Sequence, residues 1–446
     1  MKYGFPNPCV SNNVLRNETL FYNSNNFTMK HLFSISILFI LTGLVIFNQS
    51  CTYDKCYETR KYKVYNPVYM TRAQLRNISV SDAVPLENPG KIYVYNQYLL
   101  INELNQGIHI FDNSDKANPV NLAYISIPGN VDIAVKDNVL YADNFIDLLS
   151  FDISDPVNPK YLTSVEDVFT SNKYEDKSRG FLVYYNPSNL VEELQCEDAI
   201  DDIIIRNGTV LVDESYSGKN GSGSSQNNIG IGGSMARFTI LKNRLYAVDN
   251  TKLHVFNIEI PQKANPSNDL DIGWGIETIF PVKDKLFIGS NSGMFVFDAS
   301  DPDNPSLLSN FRHASACDPV FVDGDIAYIT LRSGTRCQGY TNQLDVVDIK
   351  DLLNPKLIKI YPMDNPHGLT VVDKTMILCE GDFGTKVLDV ENPEKIKIKS
   401  KITNKHFYDV IGINSENIIM VGNNGLYQYT LKGYKLNEIS VIEVEK

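Results

Sequence analysis

Nine side chains of this 446-residue chain are candidates for chemistry. They are Asp132, Trp274, Glu277, Asp318, Arg332, Arg336, Tyr340, His367 and Asp409. Hydrolysis of a glycosidic bond needs two carboxyl groups about 5–10 Å apart. Three of the acids, Asp132, Asp318 and Asp409, could supply such a pair. The sequence does not fix their separation, so binding by the same residues is the competing interpretation, and simple solvation of a channel mouth is the third.

No catalytic motif strengthens the enzyme interpretation. The chain has neither a nucleophile elbow nor an HExxH pair, and its six histidines are scattered. No cysteine or histidine cluster has the spacing of a zinc site. We therefore expect no metal and no cofactor, and binding is favoured over catalysis. A carbohydrate-active hydrolase or lyase that uses the acids stays open as the alternative.

The elements that must position these residues are indicated by a repeated phrase, clearest at 293–305 as GMFVFDASDPDNP. In each copy one residue closes the apolar run. Successive closing residues are 40 or 41 residues apart, except for two intervals of 105 and 50 residues. The closing residues are Asp112, Asp152, Asn257, Asp298, Asp348, Asp389 and Thr430. A period near 41 in a strand-rich chain is typical of propeller blades. We predict an all-β protein, a β-propeller of seven four-stranded blades.

Each phrase indicates a strand that runs into a sharp bend. The aspartate after the apolar run can accept a hydrogen bond from the backbone N–H two residues on, and the prolines favour turn and edge geometry. Calcium binding by Asp298, Asp301 and Asp303 is the alternative. The segment lacks the glycine and the downstream glutamate of an EF-hand loop, so the structural turn is favoured.

The candidate residues share one face of the predicted propeller. Strands alternate in direction within a blade, so connections between blades lie on the same face as those between second and third strands. The insertion at 166–235 is a connection between blades, and the long loop at 332–342 connects a second strand to a third strand. Long loops on a rigid scaffold concentrate binding residues. We call this side the loop-bearing face.

The N-terminal region indicates export. Residues 1–28 are polar and read as an upstream extension outside the fold, with translation starting at Met29. Residues 29–50 have the basic start and 16-residue apolar run of a signal peptide. The run ends at Cys51, so lipidation of Cys51 is predicted, with an ordinary signal peptide or an uncleaved anchor as alternatives. Residues 51–89 form a tether and lead-in, and 90–446 the propeller.

Charge and cysteines bear on compartment and partners. The net charge of −12 argues against nucleic acid, whose phosphates need a basic footprint. Export permits disulfides, and Cys317 and Cys337 flank the predicted hairpin at 320–331. Because antiparallel neighbours lie within disulfide reach, we predict a Cys317–Cys337 bond that braces the loop-bearing face, with Cys196 as the rival partner.

The phrases FDxSDPxNP at Phe111, Phe151 and Phe297 resemble the LVIVD-repeat family of bacterial surface proteins, here in a Bacteroidetes-type lipoprotein form. The stretch ACDPVFVDGDIAYITLRSGTRC at 316–337 also carries the resemblance, which covers about 90–446. The resemblance implies a propeller but no defined reaction. Together these observations predict a cell-envelope lipoprotein, anchored in the outer membrane or at the cell surface, that binds a glycan, peptide or protein without catalysis.

Overall fold

The computed structural model of the chain describes residues 57–170, 173–195, 203–206, 209–213, 231–232, 234–312, 319–333 and 341–445. For residues 57–63, and for the described residues between 189 and 233, it describes the backbone alone. The chain divides into two compact units, Met1–Glu58 with Glu193–Ala199, and Thr59–Glu192 with Ile200–Lys446. Apart from the ends of two strands, the architecture below belongs to the second unit.

The first half of the fold contains a lead-in, two sheets and an insertion. The lead-in comprises β1 (Tyr57–Met70), α1 (Arg72–Leu75) and β2 (Ser79–Asp82). Sheet 1 comprises β3 (Pro89–Tyr95), β4 (Tyr98–Glu103), β5 (Gly107–Asp112) and β6 (Val120–Ser126). Sheet 2 comprises β7 (Ile133–Lys136), β8 (Val139–Asp143), β9 (Leu148–Asp152) and β10 (Lys160–Val165). The insertion holds β11 (Glu175–Asp176), β12 (Gly180–Gln195), β13 (Ile203–Arg206), β14 (Thr209–Asp213) and β15 (Ile231–Gly232).

Five more sheets follow in the second half. Sheet 3 comprises β16 (Phe238–Leu241), β17 (Arg244–Val248), β18 (Lys252–Asn257) and β19 (Asn265–Asp271). Sheet 4 comprises β20 (Ile276–Val282), β21 (Lys285–Ser290), β22 (Gly293–Asp298) and β23 (Ser306–Arg312). Sheet 5 comprises β24 (Val320–Asp323), β25 (Ile326–Leu331), β26 (Gln343–Asp348) and β27 (Lys356–Pro362). Sheet 6 comprises β28 (Leu369–Val372), β29 (Thr375–Cys379), β30 (Thr385–Asp389) and β31 (Lys397–Ile402). Sheet 7 comprises β32 (Asp409–Asn414), β33 (Asn417–Gly422), β34 (Gly425–Lys432) and β35 (Lys435–Glu443).

These sheets form a ring. In each sheet the four consecutive strands lie side by side and pair antiparallel. The first strand of each sheet contacts the first strand of the next, and sheet 7 contacts β3 through β33. The hydroxyl of Tyr408, just before β32, donates a hydrogen bond to the carbonyl of Pro89 in β3. A ring of four-stranded antiparallel sheets is a β-propeller, so the predicted fold class is confirmed.

The hydrophobic core lies between neighbouring sheets. One cluster joins Phe287 and Val296 of sheet 4 to Ile329 of sheet 5, and another joins Leu99 of sheet 1 to Ile419 of sheet 7. A fully buried side chain of this size contributes roughly 1.5–3 kcal/mol relative to exposure. Because each sheet shares its apolar faces with both neighbours, no sheet buries them alone, which favours ring closure.

The described residues of the insertion at 166–235 form strands. Strands β11 to β14 form a five-stranded sheet with β1, in the order β11-β12-β1-β14-β13. Strand β15 adds to β3, where Ile231 pairs with Val94. Because β3 is a first strand, β15 occupies its inner edge. Strand β2 of the lead-in pairs with β6 on the outer edge of the same sheet. Residues distant in sequence thus extend sheet 1 on both sides.

The aspartates of the repeated phrase make the predicted turns. Oδ1 of Asp112, Asp152 and Asp298 each accepts a hydrogen bond of 2.8 Å from the backbone N–H two residues on. The second aspartate repeats this, since Asp301 accepts from the N–H of Asp303 at 3.1 Å and from the amide of Asn304 at 3.0 Å. These bonds lower the pKa of Asp112 and Asp301. For Asp152 and Asp298 the side-chain hydrogen bond of the serine two residues on lowers the pKa most, and its backbone N–H adds to the shift. The repeated phrase therefore encodes a turn between third and fourth strands.

The glycine that opens several third strands is required by a close approach of the fourth strand. A Cβ built on Gly425 would lie 2.0 Å from the carbonyl oxygen of Ile442, and its φ is +126°. A Cβ on Gly433, in the β34–β35 turn of the same sheet, would meet nothing within 4 Å, although its φ is +60°.

Alanine variants at Gly425 and Gly433 distinguish the cost of a steric clash from the cost of backbone strain. Gly433→Ala should destabilise the fold by about 1–2 kcal/mol from the left-handed φ alone. Gly425→Ala should cost more, because its neighbour is backbone and the strands would have to separate. Urea denaturation of the two variants measures both free energies of unfolding. Equal losses would show that the contact with Ile442 does not constrain the sheet.

Candidate functional site

Charged residues converge where the first strands of the ring begin. Lys91, Asp132 and Arg237 each lie one residue before the first regular pair of their first strand. Asp409 is in the first pair of β32, where it pairs with Val421, and Glu277 lies in β20 at the register shift between Ile276 and Thr278. We call these five residues the inner cluster. The sequence predicted Asp132, Glu277 and Asp409 but missed the two cations.

Asp132 is the most heavily bonded acid of the cluster. Its Oδ2 lies 2.5 Å from the ammonium of Lys91 and also accepts a hydrogen bond from the backbone N–H of Arg237. Its Oδ1 accepts one from the N–H of Ile133 at 2.8 Å. Only 3% of Asp132 is exposed. Burial lowers the pKa of Lys91, and the charge of Asp132 opposes that shift. Asp132 thus joins sheets 1, 2 and 3.

The carboxylate of Asp143 binds the backbone at Asp132. Oδ1 of Asp143 accepts hydrogen bonds of 2.8 Å from the backbone N–H groups of both Val131 and Asp132. Burial raises the pKa of Asp143 despite these bonds. Lys173 of the insertion interacts electrostatically with Asp143, and burial lowers the pKa of Lys173 to about 8. The insertion therefore contributes charge as well as chain to the centre of the ring.

Asp409 has a different environment from Asp132. Its Oδ1 accepts a hydrogen bond from the N–H of Val410 at 2.9 Å, whereas its buried Oδ2 has no hydrogen-bond partner among the described residues. Only 2% of the residue is exposed. Burial raises the pKa of Asp409 well above its ordinary value, and the charge of Asp132 adds to the shift while Lys91 opposes it. The carboxyl group of Asp409 therefore favours its protonated form.

Arg332 and His367 form a second buried contact on this side. Nη1 of Arg332 lies 2.8 Å from Nδ1 of His367, and both residues are buried. Burial lowers the pKa of His367 well below its ordinary value, as do the charges of Arg332 and His406. Burial also lowers the pKa of Arg332 to about 10, with Glu277 opposing. The imidazole is thus neutral at pH 7 and can accept a hydrogen bond from the guanidinium.

A short segment after β15 joins two distant sheets. The hydroxyl of Ser234 accepts a hydrogen bond of 2.7 Å from the N–H of Leu369 in sheet 6. The carbonyl of Ala236 accepts one of 2.8 Å from the N–H of Ile279 in sheet 4. Ser234, Met235 and Ala236 are all buried. The sequence analysis did not predict these contacts.

The nine predicted candidates therefore separate into three groups. Asp132, Glu277, Arg332, His367 and Asp409 come to the start of the first strands or the loops beside them. The solvated channel mouth is a wrong interpretation for Asp132 and Asp409, since both are buried, at 3% and 2% exposure. Trp274 is exposed on the surface. Outside the described residues lie Asp318, Arg336, Tyr340, Cys51, Cys317 and Cys337, so the disulfide and the lipidation stay predictions.

Three buried acid–base pairs were also missed. They join a carboxylate at the end of a second strand, or just after it, to a residue within the third strand: Glu103 with His109, Asp249 with His254, and Glu380 with Lys386. The spacing of five or six residues between acid and base recurs in sheets 1, 3 and 6, and it is visible in the sequence. These pairs tie second strands to third strands and lie within the sheets.

In the inner cluster, Asp132 accepts hydrogen bonds from three donors, and both Asp132 and Asp409 are buried. Neither of these two carboxylates is accessible to a substrate in this arrangement. No group of three or more histidine, cysteine or acidic residues that could hold a metal ion occurs within the described ranges. In the same ranges no helix is long and apolar enough to cross a membrane.

Comparisons with known proteins show only structural similarity at low sequence identity. No protein-family model matches the chain, and no curated protein matches it. Among solved structures, the computationally designed protein Ika8 aligns with a TM-score of 0.49 at 10% identity, over 81% of this chain and 92% of that one. A Lactobacillus plantarum protein aligns with a TM-score of 0.47 at 11% identity, over 77% and 96%. BamB from Moraxella catarrhalis aligns with a TM-score of 0.43 at 10% identity, over 78% and 83%. Similarity at this level supports no statement about function.

Proposed function

We propose that the protein is a non-catalytic binding scaffold of the cell envelope, and that its loop-bearing face takes a protein, peptide or glycan partner. The observation that carries the proposal is Trp274, the chain's single tryptophan, which is 64% exposed on that face. Large exposed aromatic residues are uncommon on inert surfaces and frequent at the energetic centre of interfaces.

The backbone around Trp274 presents the side chain to solvent. Trp274 lies in the connection from β19 to β20, between Gly273 with φ +148° and Gly275 with φ +75°. A side chain at Gly275 would collide with Asn291, because a Cβ would lie 2.3 Å from its amide. The next residue, Ile276, is fully buried. The indole is thus held outward by a turn whose next residue is fixed in the core.

A second aromatic residue is exposed on the same face. Phe383 lies in the connection from β29 to β30 and is 53% exposed. Connections between second and third strands share a face with connections between sheets, because neighbouring strands are antiparallel. Two exposed rings on one face of a rigid ring supply anchors at little cost in conformational entropy. The inner cluster beneath them then serves to hold the scaffold together.

The hydrolase or lyase alternative receives less support. It requires two carboxyl groups that reach a substrate. Asp132 and Asp409 are both buried, and Asp132 accepts hydrogen bonds from Lys91, Arg237 and Ile133. A glycan would reach neither carboxylate without a rearrangement of the residues that bury them. Binding at the exposed surface needs no such rearrangement.

The envelope location rests on the sequence alone. A lipid on Cys51 would anchor the propeller through the tether at 51–89, with the multiple acyl chains that stable retention needs. Cys51→Ala should move the protein from the membrane fraction to the soluble fraction of cells. Retention of the variant in the membrane fraction would contradict lipid anchoring.

The single tryptophan gives the binding proposal a direct readout. Full-length protein titrated with purified envelope glycans and peptides should show a saturable blue shift of Trp274 emission with one ligand class, because a bound partner excludes water from the indole. Trp274→Ala should weaken that affinity about tenfold or more, as truncation of a central aromatic anchor does. Calorimetry on both proteins gives the affinity independently of the fluorescence.

Two controls make the outcome decisive. Tyr174→Ala removes another exposed ring, 61% exposed in the insertion, and should leave the affinity unchanged if Trp274 is the anchor. The ligand recovered after incubation should be chemically unaltered. Conversion of a glycan to product, or binding that leaves Trp274 emission unchanged, would contradict the proposal.

A further inference from the structure

Lysines are concentrated in the outer strand of sheet 6. Between 395 and 405 the sequence KIKIKSKITNK contains five lysines and no acid, in a chain of net charge −12. Strand β31 carries Lys397, Lys399 and Lys401, all exposed. It is the last strand of its sheet, so one of its edges is unpaired. Lysines on an edge strand discourage aggregation, and that role alone would explain an isolated strand.

The strand does not stand alone, because a groove separates it from the β34–β35 turn of sheet 7. The groove has a volume of about 570 Å³ and is lined by Lys399, Lys401, Tyr434 and Lys435, with an apolar floor of Val387, Ile402 and Leu436. The hydroxyl of Ser400 donates a hydrogen bond of 2.5 Å to the carbonyl of Tyr434, which holds the two walls together. The groove is open to solvent on one side, and its volume falls within the roughly 300–1,000 Å³ of small-molecule sites.

Two of the three lysines are held in place by acids outside the groove. Lys399 lies 2.9 Å from Asp389, which raises the pKa of Lys399, and its ammonium lies 4.5 Å from the centre of the Tyr434 ring. Lys401 lies 3.2 Å from Asp364. Lys435 has no ion pair among the described residues. The groove thus combines two positioned cations with one that is free to bind an anion.

We propose that this groove binds a small anionic ligand, a sugar-sized ring that carries phosphate or carboxylate. The three ammonium groups complement the anionic substituent, since charge-assisted hydrogen bonds to phosphate and carboxylate are the strong ones. The exposed edge of Tyr434 and the apolar floor contact the ring. The groove lies on the outer wall of the propeller between sheets 6 and 7, so this site is separate from the loop-bearing face.

An extended acidic peptide is the other polyanion that this strand would attract. It would add to the unpaired edge of β31 through backbone hydrogen bonds. The Ser400–Tyr434 bond brings the neighbouring turn against the middle of that edge, and the register shift opposite Val387 and Leu388 interrupts the strand's regular pairing. A continuous strand would meet both obstacles, whereas a compact ligand meets neither.

Calorimetric titration of the full-length protein tests the site with three probes: glucose 6-phosphate, inorganic phosphate and glucose. Glucose 6-phosphate should bind more tightly than inorganic phosphate or glucose, because it alone contacts both the lysines and the apolar floor. Raised ionic strength should weaken its binding. Equal affinity for inorganic phosphate would show non-specific attraction of an ion and overturn the proposal. Binding of an acidic peptide but not of glucose 6-phosphate would also overturn it.

Two matched lysines of the same turn locate the site. Lys435→Gln removes the free cation and should weaken glucose 6-phosphate about tenfold, the value of one charge-assisted hydrogen bond. Lys432→Gln removes an exposed lysine three residues away that does not line the groove, and it should leave affinity unchanged. Neither lysine has an ion pair among the described residues, so both variants should fold. Equal losses in both variants would place the binding elsewhere.

Discussion

Replacing Lys91 with methionine should lower the free energy of unfolding by about 3–5 kcal/mol, because it leaves a buried carboxylate without its cation. Asp132 is 3% exposed and lies 2.5 Å from the ammonium of Lys91. The pair joins sheet 1 to sheet 2 at the start of their first strands. Methionine fills the volume of the lysine stem, so the loss reports the charge and not a cavity. Urea denaturation with circular dichroism measures it.

The double variant Lys91→Met, Asp132→Leu controls for the unpaired charge. It removes both ions, so it should recover part of the stability that Lys91→Met loses. Recovery should stay incomplete, because the N–H groups of Arg237 and Ile133 lose their acceptor. A loss of less than about 1 kcal/mol for Lys91→Met, the range of an exposed pair, would show that the ion pair is solvated.

Replacing Asp409 with asparagine should have the opposite sign and stabilise the fold at pH 8 by on the order of 1–3 kcal/mol, the desolvation cost of a buried polar group without a partner. Burial raises the pKa of Asp409. The folded chain therefore holds this proton at pH values where the unfolded chain, with an ordinary pKa of about 4, has lost it. Wild-type stability then falls as pH rises from about 4 through the raised pKa. Asparagine cannot ionise, so the variant escapes that loss.

The pH dependence distinguishes this effect from a change in packing. The stabilisation by Asp409→Asn should be large at pH 8 and should vanish at about pH 2–3, below the ordinary pKa, where Asp409 is protonated in both the folded and the unfolded state. Asp132→Asn is the matched control in the same cluster, and it should destabilise at pH 8 because Asp132 neutralises Lys91. A destabilising Asp409→Asn at pH 8 would mean that its carboxylate has a compensating partner.

The sheets could be predicted from sequence because their signals are local. Strand β5 ends at Asp112. The hydrogen bonds of the turn that follows involve only residues within six positions of Asp112. The same local pattern recurs in β9, β22 and β26, so the period of about 41 residues follows directly. Pairing between consecutive strands adds no long-range information.

The centre of the ring could not be predicted because its contacts are not local. Ser234 reaches Leu369 across 135 residues, and the N–H of Arg237 reaches Asp132 across 105 residues. These contacts do not recur with the period of about 41 residues, because residues in or just after the single insertion make them. The sequence placed Asp132 and Asp409 correctly at the starts of strands, but their burial depends on residues distant in sequence. Lys91 was missed because a lysine before an apolar strand is usually solvated.

Photo-crosslinking from position 274 tests the central claim, that a partner binds the loop-bearing face. A benzophenone amino acid is placed at Trp274 and, as a control, at Ile260 in the β18–β19 turn on the opposite face. The two positions are almost equally exposed, at 64% and 62%. After irradiation of intact cells, position 274 should give one discrete adduct, identified by mass spectrometry, and position 260 should not give it. The same adduct from both positions, or none from position 274, would contradict the claim.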